Sequence, residues 1–554
     1  MLSDHKLIPF KHLIQDYTRE ELVWINGYIS GYLGQNESKE NSIVAAPTVS
    51  IKPTIIYGTE TGNSKKVASQ LQALLKKNKI QAKVFDTLQY PFDKIEKEEF
   101  LIIIMSTQGD GELPQNAVGF YEKLAASTFH FKNTKYAVLG LGDTSYPLFC
   151  QAGVDIDTQL NKLGALSVVP LEKVDVDYAQ AVQSWSNTVV KVLQDGGTVD
   201  AIENKKAVTV TPVKKSYKGI VTHKVILNDR GSNKETYHIE ITTGEVVHYQ
   251  PGDALGLYPK NNQQEIESLT QLLAVSGTEW EAHLLHKNIR GLNKKSLQGL
   301  AQLFGVAITE EKLDLIEFLK KYSKPDTVTP EQIIVLLNPI APRLYSIASA
   351  VEAHEEQVHL TVNLHKFQSN GLDKIGLCSQ FLADFELDRE IDFYIHHNQN
   401  FKLAEEDAPI IMIGPGTGIA PFRSFLAHRD ATGSEGENWL VFGEQHFVTD
   451  FYYQTDIQEW LSTGVLTKLD TAFSRDQKEK IYVQDRLKQN AKELNEWIGK
   501  GAYVYVCGQK SPMSEEVEQT LIEIIAAENK LSIAEAKERI EALEVAGRYQ
   551  KDVY

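Results

Sequence analysis

The sequence predicts a multidomain α/β protein: a doubly wound parallel sheet, then an antiparallel β-barrel with a helical insertion, then a second parallel α/β domain. Three observations predict it. The chain has 554 residues, several times a typical domain of ~150. Continuous Ile, Leu and Val runs alternate with helical periods in the first third and return after Ala408, the pattern of strands buried on both faces. Between them, SYKGIVTHKVIL and ETYHIEITT alternate apolar and polar residues, as strands with one wet face do.

Residues 1–50 read as a helical arm and linker. Thr18 with Glu21 fits a capping box, and Leu22, Ile25, Ile29, Tyr32 and Leu33 recur at helical spacing, a stripe that must be buried on its own domain or on a partner. Residues 51–195 carry the first sheet, with TIIYG at 54–58, FLIIIMS at 100–106 and KYAVLGLGD at 135–143 as strands. A second linker is expected at 196–215. The barrel follows over 216–405, interrupted at about 260–338 by helix-like segments such as IESLTQLLAV and KLDLIEFLKKY. Over 406–554 the strands PIIMIG, NWLVFGE and AYVYVCG restore the βαβ rhythm.

Composition excludes several classes. The 57 basic residues against 74 acidic give a net charge of −17, which opposes a nucleic-acid backbone or an anionic leaflet. No apolar run approaches the ~18 residues of a membrane span, and no secretory signal is visible, so a cytoplasmic protein is expected. Cys150, Cys378 and Cys507 are odd in number and far apart, which argues against a disulfide framework or a metal site. They are too few for a four-thiolate cluster; redox work would use organic cofactors or a metal on another chain.

Three loops at strand ends carry the first site. In TETGNS, Thr59, Glu60, Thr61, Gly62, Asn63 and Ser64 join a strand to a helix start, a cradle of hydroxyls and amides for phosphate. It has no Walker lysine, so a phosphomonoester such as that of FMN fits better. Ser106, Thr107, Gln108 and Gly109 end the second strand; Leu141, Gly142, Asp143, Thr144, Ser145, Tyr146, Phe149 and Cys150 end the third. All three sit where doubly wound sheets bind ligands.

The second half holds RLYSIAS, where Arg343, Leu344, Tyr345 and Ser346 combine a cation for a pyrophosphate, a flat ring and a hydroxyl. GPGTGIAP, with Gly416 and Thr417, joins the strand PIIMI to a helix, as a dinucleotide pyrophosphate requires. Ser474, Arg475 and Lys480 can hold a 2′-phosphate and Tyr482 can stack on adenine, which favours NADP over NAD.

These motifs carry a resemblance. TETGNS, STQGDGE and LGDTSYPLFC resemble the FMN loops of flavodoxin-like domains, in which Tyr146 would stack on the ring; Gln108 stands where an aromatic is common. RLYSIAS resembles the FAD signature of the ferredoxin-NADP reductase family. By that resemblance Thr361, Val362 and Asn363, then Gly376, Leu377, Cys378 and Ser379, are further FAD contacts, with Phe367 where a tyrosine is usual. Ile481, Val483, Gln484 and Glu516 join the NADP set, and Cys507 lies near the nicotinamide. The ending GRYQKDVY resembles that of diflavin reductases, which makes Tyr554 the ring covering FAD, and Asp552 a partner of Ser346 at the hydride site. The order FMN, FAD, NADP is that of this family. Within it, TREELVWINGYISGYL, SRDQKEKIYVQD and RYQKDVY resemble most the flavoprotein alpha components of assimilatory NADPH-dependent sulfite reductases.

The resemblance implies a relay from NADPH through FAD and FMN to a sirohaem/iron-sulfur haemoprotein (beta) subunit that reduces sulfite to sulfide for cysteine biosynthesis. It also implies homo-oligomerisation through the N-terminal arm. Two alternatives stay open: a diflavin reductase serving another haem protein or carrier, and a flavin-binding assembly subunit that does not turn over. Residues 106–178, which hold two of the FMN loops, carry five basic against nine acidic residues, a docking face for a basic partner.

Overall fold

A computed structural model describes residues 51–554, except 61, 110, 145, 177, 197–214 and 311. The expected arm at 1–50 and nearly all of the linker at 196–215 lie outside these residues.

Five parallel strands form the first sheet: β1 (Thr54–Gly58), β2 (Lys83–Asp86), β3 (Phe100–Ser106), β4 (Lys135–Leu141) and β5 (Leu166–Val174), in the order β2-β1-β3-β4-β5. Ile55, Ile56 and Leu101 to Met105 are fully buried, because helices cover both faces. The order reverses at β1, so the loops after β1, β3 and β4 meet at one edge. β2 and β5 were not anticipated from the sequence. They are the edge strands, and their half-polar KVFD and LSVVPLEKV lack the continuous apolar run of a central strand.

The six-stranded antiparallel sheet comprises β6 (Ser216–Ile226), β7 (Thr236–Thr243), β8 (Ala254–Leu257), β9 (Arg343–Ser346), β10 (Gln357–Asn363) and β13 (Glu390–His396). Its order is β10-β7-β6-β13-β8-β9. A bridge between Ile347 and Leu360 joins the two edges into a barrel. A hairpin, β11 (Lys366–Ser369) with β12 (Leu372–Ile375), stands apart from it. Between β8 and β9 five helices over 263–335 build their own apolar core around Leu269, Leu300 and Phe318. Asn262 and Asn293 cap two of them through their side chains.

The last sheet is parallel: β14 (Ile410–Ile413), β15 (Asn438–Glu444), β16 (Lys468–Phe473), β17 (Tyr503–Gly508) and β18 (Tyr549–Val553), in the order β16-β15-β14-β17-β18. The ending GRYQKDVY thus forms an edge strand. Tyr549 anchors it in the core at 2% exposure, and register pairs Cys507 with Asp552.

Candidate functional site

At the end of β1, Gly62 takes a left-handed φ of 87° just before helix Asn63–Lys77. Its N–H donates to Thr59 Oγ1 at 3.0 Å, and Lys66 N–H donates back to Gly62 O at 3.0 Å. The second residue of the helix, Ser64, is fully buried with no hydrogen-bond partner for its hydroxyl. A buried hydroxyl left so is costly, and a phosphate at this helix start would satisfy it. The cradle therefore fits the FMN phosphate. Glu60 closes its far side by accepting from Gln115 N at 3.0 Å. Thr61 and Ser145 lie outside the described residues.

Between Ser106 and Gly109, Gln108 turns a tight hairpin, exchanging backbone hydrogen bonds with Glu112 at 2.8 and 2.9 Å. Ser106 Oγ donates to Gly58 O at 3.3 Å and Thr107 Oγ1 accepts from Ala152 N at 3.3 Å, so both hydroxyls brace the loops. In the third loop Thr144 N donates to Asp175 Oδ1 at 3.0 Å and its hydroxyl bonds the same carboxylate. Tyr146 N donates to Asp143 O at 3.0 Å. Thr144, Tyr146 and Phe149 line a cavity of ≈ 650 Å³ shared with Tyr258 and His286. Leu141 and Cys150 are buried. The Cys150 thiol, at 0% exposure, donates to Gly140 O at 3.2 Å, and burial pushes it up to about 12. It backs the loop and offers a ligand no side-chain contact.

The barrel seam is the second part of the site. Antiparallel pairing continued from Ile347–Leu360 would set Ser346 against Thr361, Tyr345 against Val362 and Leu344 against Asn363. Instead the ladder stops at that bridge, and the two lips are the very residues expected to hold FAD. Side chains on the second lip are engaged elsewhere. Thr361 Oγ1 bonds Tyr453 OH at 2.6 Å, Val362 packs in the barrel core and Asn363 Oδ1 accepts from Thr236 at 3.3 Å. What this lip leaves for a ligand is its backbone.

Gly376 opens helix Leu377–Asp384, where Ser379 Oγ donates back to Gly376 O at 3.0 Å. Cys378 is buried against Tyr345, its thiol pushed up to about 12 by burial. Phe367 is exposed on the hairpin and stacks on His365 at 5.2 Å. Arg343, at the start of the first lip, is exposed. Anionic pyrophosphate and a flat ring fit this set.

In the last domain Gly414 and Gly418 are required by close approach. A Cβ on Gly418 would stand 2.1 Å from Cys507 O. Gly416, at φ 60°, begins the turn Gly416–Ile419. Beyond β16, Ser474 N donates to Glu444 O at 2.8 Å and Arg475 N to Gln445 O at 2.9 Å. Arg475 and Lys480 are exposed, and among the described residues neither forms an ion pair. Tyr482 is exposed beside them, and Gln484 Nε2 donates to Glu516 Oε2 at 2.7 Å. Ile481 and Val483 pack into the sheet's core. Two free cations and a ring suit an adenosine 2′-phosphate.

The barrel and the last sheet meet at Asp552. Ser346 Oγ donates to Asp552 Oδ2 at 2.7 Å and the Cys507 thiol approaches the same oxygen at 3.8 Å. Burial holds the Asp552 carboxyl above the usual range, opposed by Ser346 and by the nearby His396. Burial also holds the Cys507 thiol well up, so it stays protonated at neutral pH. Tyr554 is 63% exposed, its OH 2.6 Å from Thr417 Oγ1 and its N–H bonded to Gly508 O at 3.1 Å.

Sequence reasoning missed the residues that join the first domain to the others. Lys510 pairs with Glu60, Asn400 Nδ2 donates to Asn63 Oδ1 at 2.9 Å, and His396 Nδ1 lies 3.2 Å from Asp143 Oδ2. Two of the three sit in YIHHNQN, a run with no spacing that marks it. Among the described residues one group, His238, Glu240 and His359, brings three metal-capable atoms within 4.8 Å of one another. Arg423 donates to His359 Nδ1 at 3.1 Å, which sets a fixed positive charge against any cation there. Among the described residues no helix is long and apolar enough to cross a membrane.

Comparison with known proteins finds three family models along the chain. Residues 55–185 match the Flavodoxin family, 287–381 the FAD binding domain and 412–519 the Oxidoreductase NAD-binding domain. Three relatives carry the name sulfite reductase (NADPH) flavoprotein alpha-component. That of Bacillus subtilis is 36% identical, covering 98% of this chain and 97% of its own length. That of Salmonella typhimurium is 38% identical over 100% and 98%, and that of Vibrio cholerae 37% over 100% and 96%.

Proposed function

The chain belongs to the family of sulfite reductase (NADPH) flavoprotein alpha-components, and from that premise we propose that it delivers electrons to a separate sirohaem/iron-sulfur (beta) subunit. It is an NADPH-dependent diflavin oxidoreductase using FMN, FAD and NADPH. The acceptor would reduce sulfite to sulfide for cysteine biosynthesis. The observation that supports the relay best is the meeting of Ser346, Cys507 and Asp552 under Tyr554, where the FAD lips and the NADP loop share one edge.

Arg343, Tyr345, Ser346 and the backbone of 361–363 would hold FAD, which would supply acceptance of hydride from NADPH and onward electron transfer to FMN. The chain's own groups order that exchange. Ser346 donates its hydrogen to Asp552, and that carboxyl fixes the serine rotamer. Cys507, kept as a thiol, offers bulk and a weak donor but no nucleophile. Tyr554 stands on Thr417 and must leave before a second ring can stack there.

The domain bounds 51–195, 216–405 and 406–554, the assigned site residues, a cytoplasmic location and homo-oligomerisation through residues 1–50 belong to the same proposal. The acidic excess over residues 106–178 favours a basic acceptor face. Mixing the protein with a purified sirohaem sulfite reductase subunit and NADPH tests it. Sulfide that requires both chains supports the reading. NADPH-driven reduction of an artificial acceptor without sulfide would leave the diflavin relay and remove the acceptor.

A further inference from the structure

We propose that His396 is a positioning residue for the step between the two flavins, holding the ring-flanking FMN loop over the hydride-site row through its contact with Asp143. The proposal rests on the assignment of residues 141–150 to FMN.

The row is set by register. His396 on β13 pairs with Ala254 on β8, and Ala254 pairs with Ser346 on β9. Directly opposed residues share a face, so His396 and Ser346 stand on the same side, two strand spacings or ~10 Å apart. Only the methyl of Ala254 separates them. Each end of the row is capped by an acid from another element. Asp552 of β18 meets Ser346 at 2.7 Å, and Asp143 of the FMN loop meets His396 Nδ1 at 3.2 Å.

The Asp143–His396 contact is the most sheltered of the joints between the first domain and the rest. The two side chains are 12% and 15% exposed, against 21% and 39% for Glu60 and Lys510. Asn400, which bonds Asn63 and Lys66 at 2.9 and 3.2 Å, carries no charge.

Acidic and aromatic groups surround it. Asp143 lies within 3.2 Å, and Asp552 feels His396 electrostatically. Tyr258, after β8, feels Asp143. The adjacent His397 turns to Asp253 at 2.9 Å, where Lys402 also binds, so that pair is balanced locally. Because Asp143 O holds Tyr146 N at 3.0 Å, fixing Asp143 fixes the loop that carries the stacking tyrosine.

The test is hydrogen–deuterium exchange of segment 141–149 in the holoenzyme at one pH, with FMN content measured in each sample. His396→Gln should lower protection about five-fold, the worth of a pair at the upper end of the exposed range, and His396→Arg should restore it. Rescue by arginine separates the contact with Asp143 from a misfolded variant, and Asp143→Asn should reproduce the low protection from the other partner. A His396→Gln segment as protected as wild type, or a His396→Arg segment as low as His396→Gln, overturns the proposal. Loss of FMN-dependent protection from this segment in the wild type would instead tell against the assignment of the loop to FMN.

Discussion

Gly418→Ala probes the contact that sets the hydride site. The added Cβ would lie 2.1 Å from Cys507 O, 2.7 Å from Cys507 C and 3.3 Å from Gly508 Cα. All three are backbone atoms, so no rotamer relieves the clash. A carbon and a carbonyl oxygen need more than 3 Å, so the turn Gly416–Ile419 must retreat from β17 by about 1 Å. Overpacking of this kind costs ~1–3 kcal/mol, and a displacement of ~1 Å at reacting groups can cost ~10²-fold in rate. Thr417 would move with the turn and lose its 2.6 Å contact with Tyr554. The assay is anaerobic stopped-flow bleaching of the flavin by NADPH, with thermal unfolding measured in parallel. Gly433→Ala is the control: its φ is 70° and nothing lies within 4 Å of the added carbon, so it should lower stability by ~1 kcal/mol without slowing bleaching. A Gly418→Ala enzyme with wild-type bleaching and wild-type Tm would refute the reasoning.

Asp552→Asn should slow the hydride step by ~10²-fold. Burial raises the folded pKa above the ordinary carboxylate value, so the wild type loses stability as pH rises through that folded value; the variant's Tm should not show this fall and should exceed the wild type's near neutrality. Arg475→Ala should raise the KM for NADPH about 10- to 100-fold, the worth of a charge-assisted hydrogen bond to phosphate, with NADH unchanged; an equal rise for both would move the 2′-phosphate elsewhere. Deleting Tyr554 removes the ring held on Thr417 and should tighten NADP binding and slow its release, and calorimetry giving unchanged affinities for both nicotinamides would defeat the gate.

Central strands were legible because burial on both faces leaves an unmistakable run. The reading TIIYG matches β1, FLIIIMS matches β3, and NWLVFGE matches β15. Edge strands were not. YQKDV has one buried anchor, Tyr549, followed by residues that pair on one side only, and nothing in its period separates it from a tail. Loop sites were legible where chemistry is concentrated in adjacent residues, as in TETGNS. The contacts Asp143–His396, Asn63–Asn400 and Glu60–Lys510 join residues 253, 337 and 450 positions apart, and no local pattern encodes such distances. Thr361 illustrates a subtler limit: the motif marks it as an FAD contact, whereas Tyr453 takes its hydroxyl.

The interrupted ladder between β9 and β10 bears on how the barrel survives without its cofactor. The seam is held by the Ile347–Leu360 bridge and, just beyond it, by Ala348 N–H donating to His359 O at 2.8 Å, and β9 is four residues long. Such an edge opens at low free energy, so the apoprotein should fray there first. A ligand spanning both lips supplies the missing rungs and stabilises the folded state in proportion to the logarithm of its saturation. Flavin occupancy is then a determinant of shelf life as well as of turnover, and preparations that lose FAD will age from this seam outward.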